Sequence, residues 1–230
     1  MQSLRRLLIL CRGDSARIAP WLEERDPRWL LTCVIAITAG CALYGGVVGL
    51  WRAPVQAAYT AIKMPLLIFL TCSGNALLNG MLAQILGSGL SFRQSAQAIL
   101  MSFTIAALIL ASLSPVALFI LYNAPPLGSA ARSTGHSITL LSDVLFIAYA
   151  GFVANRRLLR LLQHLCPTPA AARRVFWSWL AGNLFLGAQL SWILRPFIGS
   201  PGLPVQFLRD HPLRGNFYEA VFNALRHLLS

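Results

Sequence analysis

Charged side chains are scarce in this chain. They make up 11% of its 230 residues, whereas 57% of the residues are hydrophobic. Soluble domains usually contain about 25% charged residues. The shortage of charge therefore excludes an ordinary soluble protein and indicates one that resides in a membrane.

Lysine and the acidic residues are rarer still: Lys63 is the only lysine, and the chain has seven Asp and Glu residues. The net charge of +12 therefore comes from arginine. The arginines lie between and beside apolar runs rather than on a basic face interleaved with aromatic residues, which a nucleic-acid site would require. Membrane lipids with anionic headgroups are the predicted partners, and nucleic acid is not.

Catalytic and metal-binding motifs are also missing. The sequence has no GxSxG, HExxH, GxGxxG or Walker motif, and its five cysteines form no CxxC pair. Asp143 is the only acid within an apolar run, so a carboxylate pair sharing a proton cannot form there. We therefore predict a protein that is not an enzyme and that carries no cofactor or metal.

Five apolar segments are long enough to cross a bilayer core of about 30 Å as helices. They predict an all-α fold, a polytopic transmembrane bundle of five spans with proline kinks at Pro65 and Pro115. The spans cover about residues 29–51, 57–86, 95–122, 138–158 and 175–198.

The distribution of basic residues predicts how the chain sits in the membrane. Twelve of the 19 basic residues fall on the side of the N-terminus and seven on the other side. Cytoplasmic loops carry the excess of Arg and Lys. We expect a bacterial cytoplasmic (inner) membrane protein with a basic cytoplasmic tail (1–28), a five-span domain (29–198) and an extracytoplasmic tail (199–230).

Two stripes of small residues mark faces on which helices can approach closely. Both recur at every fourth position, and the favoured partner is another helix of the same bundle, with a second subunit as the alternative. The stripes are Cys41, Gly45 and Gly49 in the first span and Asn183, Gly187 and Ser191 in the fifth.

Three charged residues lie at membrane depth, where an ion is costly unless it is paired or hydrated. Lys63, Asp143 and Arg195 all fall within about three turns of the outer surface in the predicted topology, so an ionic cluster is predicted. Separate snorkelling of each side chain and a coupling site in a transporter stay open. The amides of Asn75, Asn79, Asn183 and Gln189 predict interhelical hydrogen bonds, with a polar solute path as the alternative.

Two further groups of residues predict contacts at the membrane surfaces. Five arginines at the cytoplasmic end of the bundle should gather anionic headgroups, with docking of a cytoplasmic partner as the alternative. They are Arg156, Arg157, Arg160, Arg173 and Arg174.

The tail predicts an amphipathic helix over 217–229, capped by Asn216, that lies in the outer interface or docks on a partner subunit. Its apolar face includes Phe217, Tyr218, Val221, Phe222 and Leu225.

The middle of the chain is similar to the Yip family of five-span membrane proteins. The likeness lies in residues 65–115 and rests on the GNALLN segment at 74–79, the LGSGLSFR turn at 86–93 and the SLSP segment at 112–115. The resemblance implies a helical membrane protein that acts through partners, and it transfers no catalytic residue.

Together these features predict an accessory or scaffold subunit of a larger membrane complex. The alternative is a small-solute or ion transporter or channel with a path near Lys63 and Asp143.

Overall fold

A computed structural model describes residues 2–229 of the chain, with side chains as far as Arg226. The regular structure in this part of the chain is helical throughout, with eight α-helices and one 3₁₀ turn, Ala19–Leu22. The helices are α1 (Gln2–Arg12), α2 (Ser15–Ile18), α3 (Pro27–Leu50), α4 (Pro54–Ile85), α5 (Phe92–Asn123), α6 (Arg132–Leu165), α7 (Pro169–Ile193) and α8 (Phe217–Leu229).

Four of these helices, α3 to α6, are long and apolar enough to cross a membrane. They cover the first four predicted spans, so the chain is an all-helical protein compatible with membrane insertion. The fifth predicted span, 175–198, overlaps α7, which begins at Pro169 and ends at Ile193 and whose 25 residues do not meet the same test of length and composition.

Local sequence signals fix where several of the helices begin. Asp26 accepts hydrogen bonds from the backbone N–H groups of Arg28 and Trp29 and so caps α3. Ser91 and Gln94 form a capping box at the start of α5. The Thr168 side chain accepts a backbone hydrogen bond and so caps α7. Pro169 follows it and lacks the amide proton that the first turn of a helix leaves unpaired.

Glycine sets the closest helix contacts in the bundle. A Cβ atom on Gly45 would lie 2.6 Å from the Thr60 carbonyl oxygen, and one on Gly49 would lie 2.6 Å from the Gln56 carbonyl oxygen. The first small-residue stripe thus lies against α4 of the same chain. Because residues 45 and 49 meet 60 and 56 respectively, α3 and α4 run antiparallel.

The bundle has two distinct ends. The end at which α3, α5 and α7 begin and α4 and α6 finish carries most of the basic residues and is called the basic end. The opposite end is called the far end. Trp51 meets His136 at the far end, with ring centroids 5.6 Å apart, and Trp179 of α7 donates to the Asn79 carbonyl nearer the basic end.

The N-terminal segment, which the sequence presents as a basic tail, is folded onto the basic end. Leu10, Ile18 and Leu22 are buried in the same apolar cluster as residues of α5 and α6. The apolar positions of α1 recur at helical spacing, but the helix is too short to register as a span.

Arg6 fastens this segment to the start of α3. Its guanidinium donates to Asp26 and Glu24, each at 2.8 Å, and lies over the rings of Trp21 at 5.3 Å and Trp29 at 5.9 Å.

We expect Arg6→Ala to loosen the N-terminal segment by about 1–3 kcal/mol, because two ion pairs and two cation–π contacts are lost together. Limited proteolysis of the purified protein should show faster cleavage before residue 26. Arg5→Ala is the matched control, since Arg5 is exposed. Equal cleavage of the two variants would contradict the role of Arg6.

Candidate functional site

The far end of the bundle contains a cavity of about 600 Å³. Its wall is contributed by α3, α4, α6, the end of α7, the irregular segment 195–214 and α8. Most of the lining side chains are apolar, and the polar ones include Tyr44, Asp143, Arg195 and Arg209. All the lining residues belong to the far half of the bundle.

A polar face of α4 holds the chain that follows α7. Lys63 Nζ donates to the Pro196 carbonyl at 2.9 Å, and Gln56 Nε2 donates to the same carbonyl at 2.9 Å. Thr60 Oγ1 donates to the Phe197 carbonyl at 2.6 Å. The three α4 side chains are fully buried and lie one turn apart, so they form a single anchor for residues 196–197.

Aromatic rings complete the surroundings of the Lys63 ammonium. Its nitrogen lies 4.8 Å from the centroid of Phe207 and 5.9 Å from that of Phe197. A carbonyl and two ring faces therefore stabilise this buried cation, each through the negative part of a dipole or quadrupole.

Asp143 lies in the cavity wall and is 8% exposed. Its Oδ1 accepts a hydrogen bond of 2.9 Å from the Tyr44 hydroxyl, and its Oδ2 is buried without a partner among the described residues. Buried polar atoms are usually hydrogen-bonded, so an unpartnered carboxylate oxygen in the cavity wall is an exception.

The predicted ionic cluster of Lys63, Asp143 and Arg195 is not formed. All three lie at the far end, but the ion pairs of the described chain join Arg6 to Glu24 and Asp26, and Arg17 to Asp14. The physical reason is that α7 ends at Ile193, so carbonyl groups of the chain after it have no partner within a helix. One of them, at Pro196, accepts the hydrogen bond from Lys63.

Arg195 likewise binds main-chain carbonyls. Its guanidinium donates to the carbonyls of Trp192, His211, Pro212 and Arg214 at 2.6–3.0 Å and stacks on the Trp192 ring at 3.9 Å. These hydrogen bonds hold residues 211–214 of the tail beside the end of α7. Arg195 therefore shapes the cavity wall.

Two more arginines gather beside it. Arg52 donates to the Leu203 carbonyl, and Arg209 donates to the Pro204 carbonyl and to Gln206. Arg52 Nε and Arg209 Nη2 are buried without partners in the described structure. Burial lowers the pKa of the Arg209 guanidinium from its ordinary value; the neighbouring Asp210 opposes this effect and Arg52 adds to it.

The predicted apolar face of the tail divides in two within α8. Phe217 and Val221 line the cavity, whereas Tyr218, Phe222 and Leu225 are exposed. The helix packs on α6 and α7, and Asn216 Oδ1 accepts from the Glu219 backbone N–H. One side of α8 is thus covered by its own chain and the other is left open.

The remaining predicted site residues are spread over the bundle. At the basic end, Arg156, Arg160, Arg173 and Arg174 are exposed, and Arg157 is half-buried against Gly13. In the second stripe, Gly187 has no atom within 4 Å of an added Cβ, and Ser191 bonds to its own helix at the Ala188 carbonyl.

The predicted interhelical hydrogen bonds of Asn75 and Asn79 are not formed in the described structure. Asn75 and Asn79 are fully buried beside Gly182 of α7, yet within the described structure their side-chain atoms have no hydrogen-bond partner. The contact of α4 with α7 is instead made by the Trp179 indole, which donates to the Asn79 backbone carbonyl.

Sequence reasoning missed Tyr44, Gln56, Thr60, Trp192 and Arg209. The spacing of Gln56, Thr60 and Lys63 along one helix face was a usable signal for the anchor. The contact between Tyr44 and Asp143 had no such signal, because the two residues are 99 positions apart and meet only through helix packing.

No protein-family model, curated protein or solved structure matches the chain. The resemblance of residues 65–115 to the Yip family therefore stays a prediction.

Proposed function

We propose that the chain is a five-span protein of a bacterial cytoplasmic membrane, with its N-terminus in the cytoplasm and the cavity at the outer face. The proposal takes α7 as the fifth span. Its support is that α7 runs antiparallel to α4 and ends at the far end, and that twelve of the 19 basic residues lie at the basic end.

We propose further that the protein is non-enzymatic and binds a small, mostly apolar molecule in the cavity, as a binding or transport protein. The observation that carries this proposal is a cavity of about 600 Å³ with an apolar wall and a buried carboxylate oxygen that lacks a partner. Ligand sites of this size are typically apolar with a few convergent polar groups. Because the wall comes from the far half alone, a ligand pocket fits it better than a channel.

Filling the cavity should remove the ligand. We expect Leu140→Trp, which places an indole in the cavity, to lose most of the apolar material that co-purifies with the native protein, as measured by solvent extraction and mass spectrometry. Leu145→Trp is the matched control, because Leu145 lies on the same helix and is 66% exposed. Equal recovery from both variants would contradict a ligand in this cavity.

An accessory subunit of a larger complex is the second candidate. The specific observation in its favour is the stripe of Asn183, Gly187 and Ser191, which stays uncovered at Gly187 within this chain. Small residues with open space in front of them allow a helix of another subunit to approach.

We expect Gly187→Leu to insert and fold as the native protein does, because the added side chain enters open space. If the stripe contacts a second subunit, the variant should lose chains that co-purify with the native protein in mild detergent. Retention of every such chain would rule out this interface. Gly151→Leu is a control at another open glycine.

A further inference from the structure

The cations at the far end outnumber the acids there and form no ion pair with them in the described structure. Arg195, Arg209 and Arg214 line the cavity, and Arg52 and Lys63 contact the same irregular segment from behind. All the ion pairs of the described chain lie at the opposite, basic end.

Two acids line the same cavity but do not neutralise this group. Asp143 accepts its hydrogen bond from Tyr44, and Asp210 is exposed. Neither carboxylate lies within 4.0 Å of a guanidinium. Three arginines against two acids therefore leave the wall with an excess of positive charge.

The guanidiniums also affect one another. The positive charge of Arg209 acts on Arg195, and that of Arg52 acts on Arg209. Like charges held together in a partly desolvated site repel, and a bound anion would relieve that repulsion. Arg209 lines the cavity, and its Nη2 donor has no partner in the described structure.

The space next to these donors suits an apolar chain. Val48, Met64, Leu67 and Leu140 line the cavity below the arginines, and α8 adds Val221 from the side. The outer face of α8 is apolar too, with Tyr218 and Phe222 more than half exposed.

We propose that the cavity binds an amphiphilic anion, with a phosphate or carboxylate headgroup on Arg209 and an aliphatic chain in the apolar part. Phosphate and carboxylate are the groups that a guanidinium binds best, through paired N–H donors. This proposal rests on the ligand-binding function proposed above and specifies the class of ligand.

The test uses the 230-residue chain in phosphatidylcholine nanodiscs and three probes: dodecyl phosphate, dodecanol and inorganic phosphate. Binding is measured as adducts by native mass spectrometry. We expect dodecyl phosphate to bind at least tenfold more tightly than either of the other two probes, because only it satisfies both parts of the site.

Arg209→Gln should weaken dodecyl phosphate binding by about tenfold or more and leave dodecanol binding unchanged. Arg209→Lys, which keeps the charge, should retain most of the affinity. Arg132→Gln is the matched control, because Arg132 is an exposed arginine at the same end and does not line the cavity.

The outcomes separate the two proposals. Equal binding of dodecyl phosphate and dodecanol, unchanged in Arg209→Gln, would overturn the anionic headgroup and leave the apolar ligand standing. Inorganic phosphate that binds as tightly as dodecyl phosphate would replace the amphiphile with a free anion. Failure of both dodecyl probes to bind would overturn the proposed function itself.

Discussion

A single methyl group at Gly49 should separate α3 from α4. The Cβ of Gly49→Ala would lie 2.6 Å from both Ala57 Cα and the Gln56 carbonyl oxygen. Both are backbone atoms, so no side chain can turn away to make room. We expect a loss of about 3 kcal/mol in the free energy of unfolding, the upper end of the range for overpacking. Unfolding by SDS in mixed micelles, followed by circular dichroism, measures it.

Gly46→Ala is the matched control for this prediction. Its Cβ would meet only the Ala61 side chain, at an ordinary contact distance of 3.8 Å. Alanine is the better helix former by about 1 kcal/mol, so this variant should be as stable as the native protein or slightly more stable. If Gly49→Ala is no less stable than Gly46→Ala, close packing of these two helices does not hold the bundle together.

The helices were largely predictable because their signals are local. Apolar runs such as those of α3 and α5 exceed the length of a membrane span, and caps such as Asp26 and Ser91 are recognisable from a few residues. The folding of α1 onto the bundle was missed because the helix is short and its docking depends on Arg6, Trp21 and Trp29 meeting in space.

The cavity was not predictable, because distant segments build it. The partner of Lys63 is a backbone carbonyl at Pro196, and any residue can supply such a group. The sequence pattern pointed to Asp143 instead, since opposite charges at similar depth are the simplest way to stabilise each other. The hydrogen bond to the Pro196 carbonyl forms instead because α7 ends at Ile193 and the chain after it passes Lys63.

Reversing the charge of Lys63 should release the segment that follows α7. In Lys63→Glu a carboxylate replaces the donor to the Pro196 carbonyl and faces a second acceptor at Phe197, whose donors are Gln56 and Thr60. Lys63 is fully buried, so the new charge has no water to stabilise it. We expect a loss of about 3–5 kcal/mol in the free energy of unfolding, the range for an uncompensated buried charge. The SDS titration described above measures it, and faster proteolysis between residues 199 and 216 should accompany the loss.

Exchanging the charges of Lys63 and Asp143 distinguishes anchoring by a carbonyl group from an ion pair. If Lys63 and Asp143 stabilised each other directly, Lys63→Glu combined with Asp143→Lys would recover most of the lost stability. The structure predicts no recovery, because Asp143 is bonded to Tyr44 and Lys63 to Pro196, each by its own hydrogen bond. Lys63→Met should cost less than Lys63→Glu, since the Pro196 carbonyl keeps the Gln56 donor and no buried charge remains. Recovery of stability in the swapped protein would show that the charges of Lys63 and Asp143 meet and that the carbonyl anchor is secondary.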